Sequence, residues 1–310
     1  MDSYNTTWNQ KEKVVIIMGQ TGTGKSRLSI DLAIRFSGEI INCDKIQVYK
    51  GLDIITNKVS HEEQSGIPHH LLGVINPNEE FTSSDFRRVA MHAIESILAR
   101  KCLPIIVGGS NSFIEALVDD DELEFRSNYD CCFIWVDVSS PLLHSFVSKR
   151  VDQMVNFGLV TEVREFFEPS GDYTRGIRRA IGVPEMHQYL QLESSVDEET
   201  REKLLEVAID QIKINTCTLT MRQLQKIYRL RSLPGWNIHR VDASEVFLLL
   251  DGRDVDDAWD KIVVAPSTMR VAKFLYGTDD DQDQTADIVV PTTDSFLKNA
   301  IMGMVVAATQ

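Results

Sequence analysis

Short apolar runs alternate with longer amphipathic stretches along the first half of the chain, and the two spacings predict different elements. VVIIM at 14–18, EIINCD at 39–44, LPIIVGG at 103–109 and CCFIWVDV at 131–138 are short, rich in β-branched or aromatic residues and bounded by turn signals. This is the pattern of parallel strands buried on both faces. The clearest helical period begins at the cap candidates Ser83, Ser84 and Asp85 and runs through FRRVAMHAIESILARK, with Phe86, Val89, Ala90, Ala93, Ile94, Ile97 and Leu98 on one face. From about residue 141 the strand-like runs stop, and helical stretches are predicted at 141–168, 178–191 and 197–231. Beyond Pro234 the pattern is less regular, and GTDDDQDQTAD at 277–287 reads as a solvated acidic loop. No internal repeat is present.

The first strand runs into GQTGTGKS, residues 19–26, which fits the phosphate-loop spacing G-x-x-x-x-G-K-[ST] through Gly19, Gly24, Lys25 and Ser26. RLSIDLAIRF at 27–36 then supplies the helix that the motif requires. Gly22 and Gly24 let the backbone approach an anion closely, and the amides of Gln20, Thr21 and Thr23 belong to the same cradle. Lys25 adds a mobile positive charge, the helix N-terminus adds its dipole, and Ser26 offers a hydroxyl to Mg2+. The expected fold is therefore α/β: a P-loop NTPase-like parallel sheet flanked by helices, with an additional helical lobe. Its expected parts are a tail over 1–12, a P-loop core over 13–140, a helical part over 141–235 that completes the crevice, and a less regular region over 236–310.

Composition narrows the setting. A chain of 310 residues with 43% hydrophobic content can bury a full core. The count of 32 Lys+Arg against 46 Asp+Glu leaves a formal charge of −14, which argues against a nucleic-acid partner that needs many cationic contacts. The five cysteines form no C-x-x-C pair and are odd in number, which fits free thiols in a reducing compartment and argues against zinc. No apolar run approaches the length of a membrane span, and the dozen residues before the first strand lack the Arg-rich character of a transit peptide. The expected location is the cytoplasm, or a plastid if an import signal has been trimmed.

A phosphate loop alone leaves kinases, hydrolases, other transferases and nucleotide-switched binding modules open. Asp44 ends the second strand in CDKIQVYKGLDI, where carboxyl ends of parallel strands face the ligand crevice. A carboxylate there either holds a metal or handles a proton, or it caps the following turn. In GIRRAIGVPEM, Arg178 and Arg179 either clamp a diphosphate or form a solvated face. Asp137 has the position of a kinase-type metal carboxylate but also that of a cap on the turn into Ser139, Ser140 and Pro141. His69 and His70 have no third ligand at a useful spacing for a metal.

A series of motifs in order over roughly residues 13 to 270 resembles the isopentenyltransferases, in particular the plant adenylate type that begins cytokinin synthesis. It comprises GQTGTGKS, CDKIQVYKGLDI, GIPHHLLG at 66–73, LPIIVGGSNSFIEALV at 103–118, RVDQMVNFGLVTEV at 150–163, RRAIGVPE at 178–185 and TMRQLQKIYRLR at 220–231. The resemblance implies transfer of a dimethylallyl group from dimethylallyl diphosphate to the exocyclic amine of adenine in AMP, ADP or ATP, with ADP or ATP favoured. It implies Asp44 as the group that accepts the amine proton, and Lys25 and Arg179 as catalytic charges on the departing diphosphate, with Arg150 a second arginine. The tRNA-modifying branch reads GGTGLY where this chain has GGSNSF at 108–113, and with the acidic balance this favours a free nucleotide over tRNA. Asn111 and Ser112 are expected near the crevice. Lys213, Arg222 and Lys226 either meet acceptor phosphates or form the charged face of an exposed helix.

Overall fold

The structure, a computed structural model, describes residues 11–120, 124–249 and 254–277. In chain order the elements are β1 (Glu12–Met18), α1 (Lys25–Phe36), β2 (Gly38–Asn42), β3 (His69–His70), α2 (Ser83–Ala99), β4 (Leu103–Val107), α3 (Asn111–Val118), α4 (Phe125–Asn128) and β5 (Tyr129–Asp137). There follow α5 (Ser140–Asn156), α6 (Leu159–Glu165), a 3-10 turn at Gly176–Arg179, α7 (His187–Leu192), α8 (Glu198–Arg231), β6 (Ile238–Asp242), α9 (Ser244–Leu248), α10 (Val255–Trp259), a π-helical turn at Asp260–Val264 and α11 (Ala265–Tyr276).

The six strands form one sheet in the order β3-β2-β4-β1-β5-β6, and every pairing is parallel. All five residues of the VVIIM run are fully buried, because side chains alternate between two covered faces. Val14, Ile16 and Met18 pack with Phe86 and Ile94 of α2, Phe113 of α3 and Ile227 of α8. Val15 and Ile17 pack with Leu28 and Leu32 of α1, Leu143 and Val147 of α5 and Val271 of α11. The expected P-loop-type α/β sheet with flanking helices is what the chain forms.

Several expected boundaries differ. The N-cap of α2 is Thr82, one residue before the cap candidates: its hydroxyl accepts from the Asp85 amide and the Asp85 carboxylate accepts from the Thr82 amide. The stretch 141–168 is two helices, broken where Gly158 takes φ 103°. The stretch 178–191 is not one helix but the end of the 3-10 turn and the start of α7 separated by turns over 180–186: Gly182 takes φ 108°, with Ile55 filling the space where its side chain would stand, and Pro184 lacks an amide to donate. Strands do not stop at 141, since β6 pairs with β5 inside the region read as irregular. Beyond Gly277, the stretch read as an acidic loop lies outside the described residues.

The short edge strand β3 is held by a charge network. The buried carboxylate of Glu39 accepts from Arg100 Nε (2.8 Å) and Nη2 (2.7 Å) and lies 2.7 Å from His70 Nε2. The Arg100 hydrogen bonds outweigh burial and, with His70, hold the Glu39 carboxyl down at about 2. A carboxyl depressed below its unfolded value of about 4.3 stabilises the fold above that pH and loses this contribution as the pH falls toward 2. Urea unfolding should therefore show wild type losing more stability than Arg100→Ala between pH 6 and pH 3; equal losses would remove the network from the acid response.

Candidate active site

The carboxyl ends of β1, β2 and β4 converge on one crevice, the position where open parallel sheets take their ligands. This convergence depends on Gly108, because a Cβ there would stand 1.9 Å from the Cys43 carbonyl oxygen. The Cys43 amide donates to Val107 O at 2.7 Å, and the Lys45 amide donates to Ser110 Oγ at 3.0 Å. The turn carrying Asp44 is thereby fixed against the end of β4.

A cavity of about 390 Å³ lies in the crevice. Thr21, Gly22, Gly24, Lys25, Ser26, Asp44 and Arg150 line it, while Gly19, Gln20, Thr23 and Arg179 do not. Gly24 takes φ 87° at the N-cap of α1, and no side chain caps the first turn of that helix. The amides at the start of α1 are thus open to an anion, whereas the Thr21 amide donates to Gln223 Oε1. Gln20 and Thr23 act inside the loop: the Gln20 carbonyl accepts from the Thr23 hydroxyl at 3.0 Å and from Lys25 Nζ at 2.6 Å. Burial pushes Lys25 down to about 8; Asp44 raises it and Arg150 lowers it, so both groups lie within electrostatic range of Lys25.

Arg150 projects from α5 toward the loop. Its Nη2 donates to Thr21 Oγ1 at 3.1 Å, burial pushes it down to about 10, and its Nε has no hydrogen-bond partner among the described residues. Arg179 sits elsewhere: its Nη2 donates to the buried Tyr49 hydroxyl at 3.3 Å and its Nε to Gly176 O at 3.2 Å. It neighbours Lys45, which desolvation lowers first and which Arg179 and Lys226 lower further, against the pull of Asp44. Of the two arginines taken from the motifs, Arg150 is the one brought to the phosphate loop.

Asp44 caps its turn and still presents an oxygen to the cavity. Its Oδ1 accepts from the amides of Ile46 (2.8 Å) and Gln47 (3.2 Å), capping the turn. Its Oδ2 takes no hydrogen bond from the described residues, and the side chain lines the cavity. The turn therefore holds one oxygen and leaves the other for a ligand. Ser26 is exposed on the cavity wall, and its hydroxyl has no partner among the described residues.

Other candidates are accounted for differently. Asp137 is buried and its Oδ2 accepts from Arg240 Nε at 2.7 Å, so this carboxylate joins β5 to β6, and it does not line the cavity. Burial raises its pKa against that pairing. Lys213 is paired with Asp152 at 2.6 Å. Asn111 and Ser112 are not cavity residues, although the neighbouring Gly108 and Gly109 are. His69 and His70 form β3, and no group of three or more potential metal ligands occurs among the described residues. Gln223 of α8 and the aromatic wall of Phe146, Phe247 and Trp259 also line the cavity. Gln223 lies within the TMRQLQKIYRLR run, but helical periodicity does not distinguish it from its polar neighbours; Trp259 lies outside the β-strand and loop motifs altogether.

Comparisons with known proteins give the family. The IPP transferase family model matches residues 47–128 and 121–228, more than half of the chain. Adenylate isopentenyltransferase 5, chloroplastic, of Arabidopsis thaliana is 59% identical over 287 residues, covering 92% of this chain and 86% of its own. Adenylate isopentenyltransferase 7, mitochondrial, of the same plant is 55% identical, with 87% and 82% covered. Among solved structures, a eukaryotic dimethylallyltransferase acting on tRNA superposes with a TM-score of 0.72 at 25% identity, covering 88% of this chain and 82% of that one. A phosphate loop facing a half-free carboxylate, together with this extent of likeness, establishes that the chain belongs to the isopentenyltransferase (IPP transferase) family.

Proposed function

We propose that the protein is a prenyltransferase that moves a dimethylallyl group from dimethylallyl diphosphate to the exocyclic amine of an adenine nucleotide, the first step of cytokinin synthesis. The observation that carries this reading is the pairing, across one cavity, of an uncapped phosphate loop with the free Oδ2 of Asp44. In the reaction the allylic C–O bond breaks, the diphosphate departs with the electron pair, and the adenine nitrogen forms the new C–N bond. The proton released from that nitrogen passes to Asp44 Oδ2. Oδ1 stays engaged by two amides throughout, which holds the carboxylate in place.

Charge grows on the diphosphate as it leaves, so fixed donors around it lower the barrier. Lys25, Arg150 and the loop amides supply them. The Ser26 hydroxyl, exposed at the cavity and unengaged, would hold Mg2+ together with phosphate oxygens and water, the usual arrangement for this ion. Magnesium, when bound, offsets negative charge on the diphosphate. Lys45, Arg179 and Lys226 cluster beside Asp44 with no carboxylate within ion-pair distance among the described residues. That cluster suits the phosphates of the acceptor and supports ADP or ATP over AMP.

Transfer to tRNA is the second reading, carried by the structural likeness to a tRNA enzyme; the formal charge of −14 opposes it. Among the described residues no helix is long and apolar enough to cross a membrane. The expected cytoplasmic location draws no support from relatives named chloroplastic and mitochondrial, which favour its alternative, a plastid.

Labelled dimethylallyl diphosphate incubated with magnesium and AMP, ADP, ATP or unmodified tRNA should put label into ADP and ATP; label in tRNA alone, or only phosphate exchange, would overturn the reading. Asp44→Asn should keep donor binding while turnover drops on the order of a hundredfold or more, the usual scale for a lost general base. Lys25 carries its charge below about pH 8 and loses it above, so affinity for inorganic pyrophosphate should fall as the pH rises past that value. Lys25→Arg should flatten this profile, and an unchanged slope in that variant would assign the titration to another group.

A further inference from the structure

We infer that Gln223 is a positioning residue for the phosphate loop: its side-chain amide fixes Thr21, and through Thr21 it sets the Arg150 guanidinium that meets the diphosphate. This rests on the donor reading above, and it concerns a residue that the transfer chemistry itself does not use. Within the 34-residue helix α8, Gln223 is the residue that lines the cavity. Its side chain is 7% exposed, and both ends of its amide are engaged by backbone.

Oε1 accepts from the Thr21 amide at 2.7 Å, and Nε2 donates to Gly109 O at 3.1 Å. The Gln223 carbonyl also accepts from Asn111 Nδ2 at 3.2 Å. One side chain thus ties the loop after β1 to the turn after β4, with the two polar atoms of a primary amide matched to one donor and one acceptor. Thr21 then passes this placement on, because its Oγ1 accepts from Arg150 Nη2. Arg150 is half-buried, its Nε is buried and unpartnered among the described residues, and the Thr21 contact is what orients the guanidinium before a ligand arrives. Preorganised donors act on a departing anion without reorganising as the charge develops, and this gives a remote glutamine leverage on the reaction.

Gly109 provides an independent handle. A Cβ on Gly109 would stand 2.3 Å from Gln223 Nε2, while its next neighbour outside that side chain, Gly19 O, is 3.7 Å away. The Gly109 backbone lies outside the left-handed region, so alanine is permitted there. Gly109→Ala should displace the Gln223 amide, and with it the placement of Thr21 and Arg150, while all three side chains keep their chemical identity; Gln223→Ala clears the space that the new methyl needs.

The test is calorimetric binding of inorganic pyrophosphate and of ADP, with kcat and KM for both substrates, on wild type, Gly109→Ala, Gln223→Ala and the double variant. Each single change should weaken pyrophosphate on the order of tenfold, the scale of one buried donor left unpaired, and leave ADP within about twofold. The double variant should match Gln223→Ala alone, since both changes cut the same bridge. Pyrophosphate affinity unchanged in folded variants, equal losses for both ligands, or losses that multiply in the double variant would each overturn the inference. Wild type that fails to bind pyrophosphate would bring down the donor reading and this inference together. Should Gln223→Ala not fold, Gln223→Met keeps the volume without adding charge and removes both hydrogen bonds. It should weaken pyrophosphate on the order of tenfold and leave ADP within about twofold, whereas equal losses for both ligands would mark a merely structural contact.

Discussion

The site depends on how closely two strand ends approach each other. β2 and β4 are adjacent and parallel, and past their last paired residues the backbone of Gly108 comes against the Cys43 carbonyl with no room for a side chain. That contact places the Asp44 turn beside the end of β4, while β4 also pairs with β1 and so stands next to the phosphate loop. A carboxylate and an anion cradle, which repel each other's natural ligands, are thereby fixed on the lining of one cavity. Everything proposed for the chemistry follows from that juxtaposition.

The division of labour inside Asp44 is the second feature of note. A carboxylate that must receive a proton needs a defined position and one unengaged oxygen. The two amides of Ile46 and Gln47 supply the position through Oδ1, and the cavity receives Oδ2. Capping and catalysis, treated from sequence as competing explanations, are compatible because a carboxylate has two oxygens.

Much of this was legible in the chain, for identifiable reasons. Buried parallel strands are runs of β-branched residues, so β1, β2, β4 and β5 stand out; β3 escapes because it is only two residues long, and β6, as long as β2 and β4, because this edge strand keeps exposed polar residues such as His239 and Arg240. The phosphate loop is a local motif and reads directly. What links the loop to the rest is not local: Gln223 is about two hundred residues from Thr21, and Arg150 is recognisable as the loop's arginine only once α5 is seen to pack on the sheet face beside Gly22. Arg179, the more prominent arginine in its motif, sits beside Tyr49 and Lys45, a placement set by the 3-10 turn that replaces the expected helix start. The regular period over 178–191 could not reveal that Gly182 and Pro184 break it.

The central claim, that the glycine loop holds the leaving diphosphate while Asp44 faces the adenine amine, is tested most directly by a crystal structure of the protein with magnesium, a non-hydrolysable dimethylallyl diphosphate analogue and ADP. The account predicts the analogue's diphosphate in the loop against Lys25 and Arg150, with the adenine exocyclic nitrogen within hydrogen-bond distance of Asp44 Oδ2. ADP phosphates seated in the glycine loop, with the adenine directed away from Asp44, would contradict it.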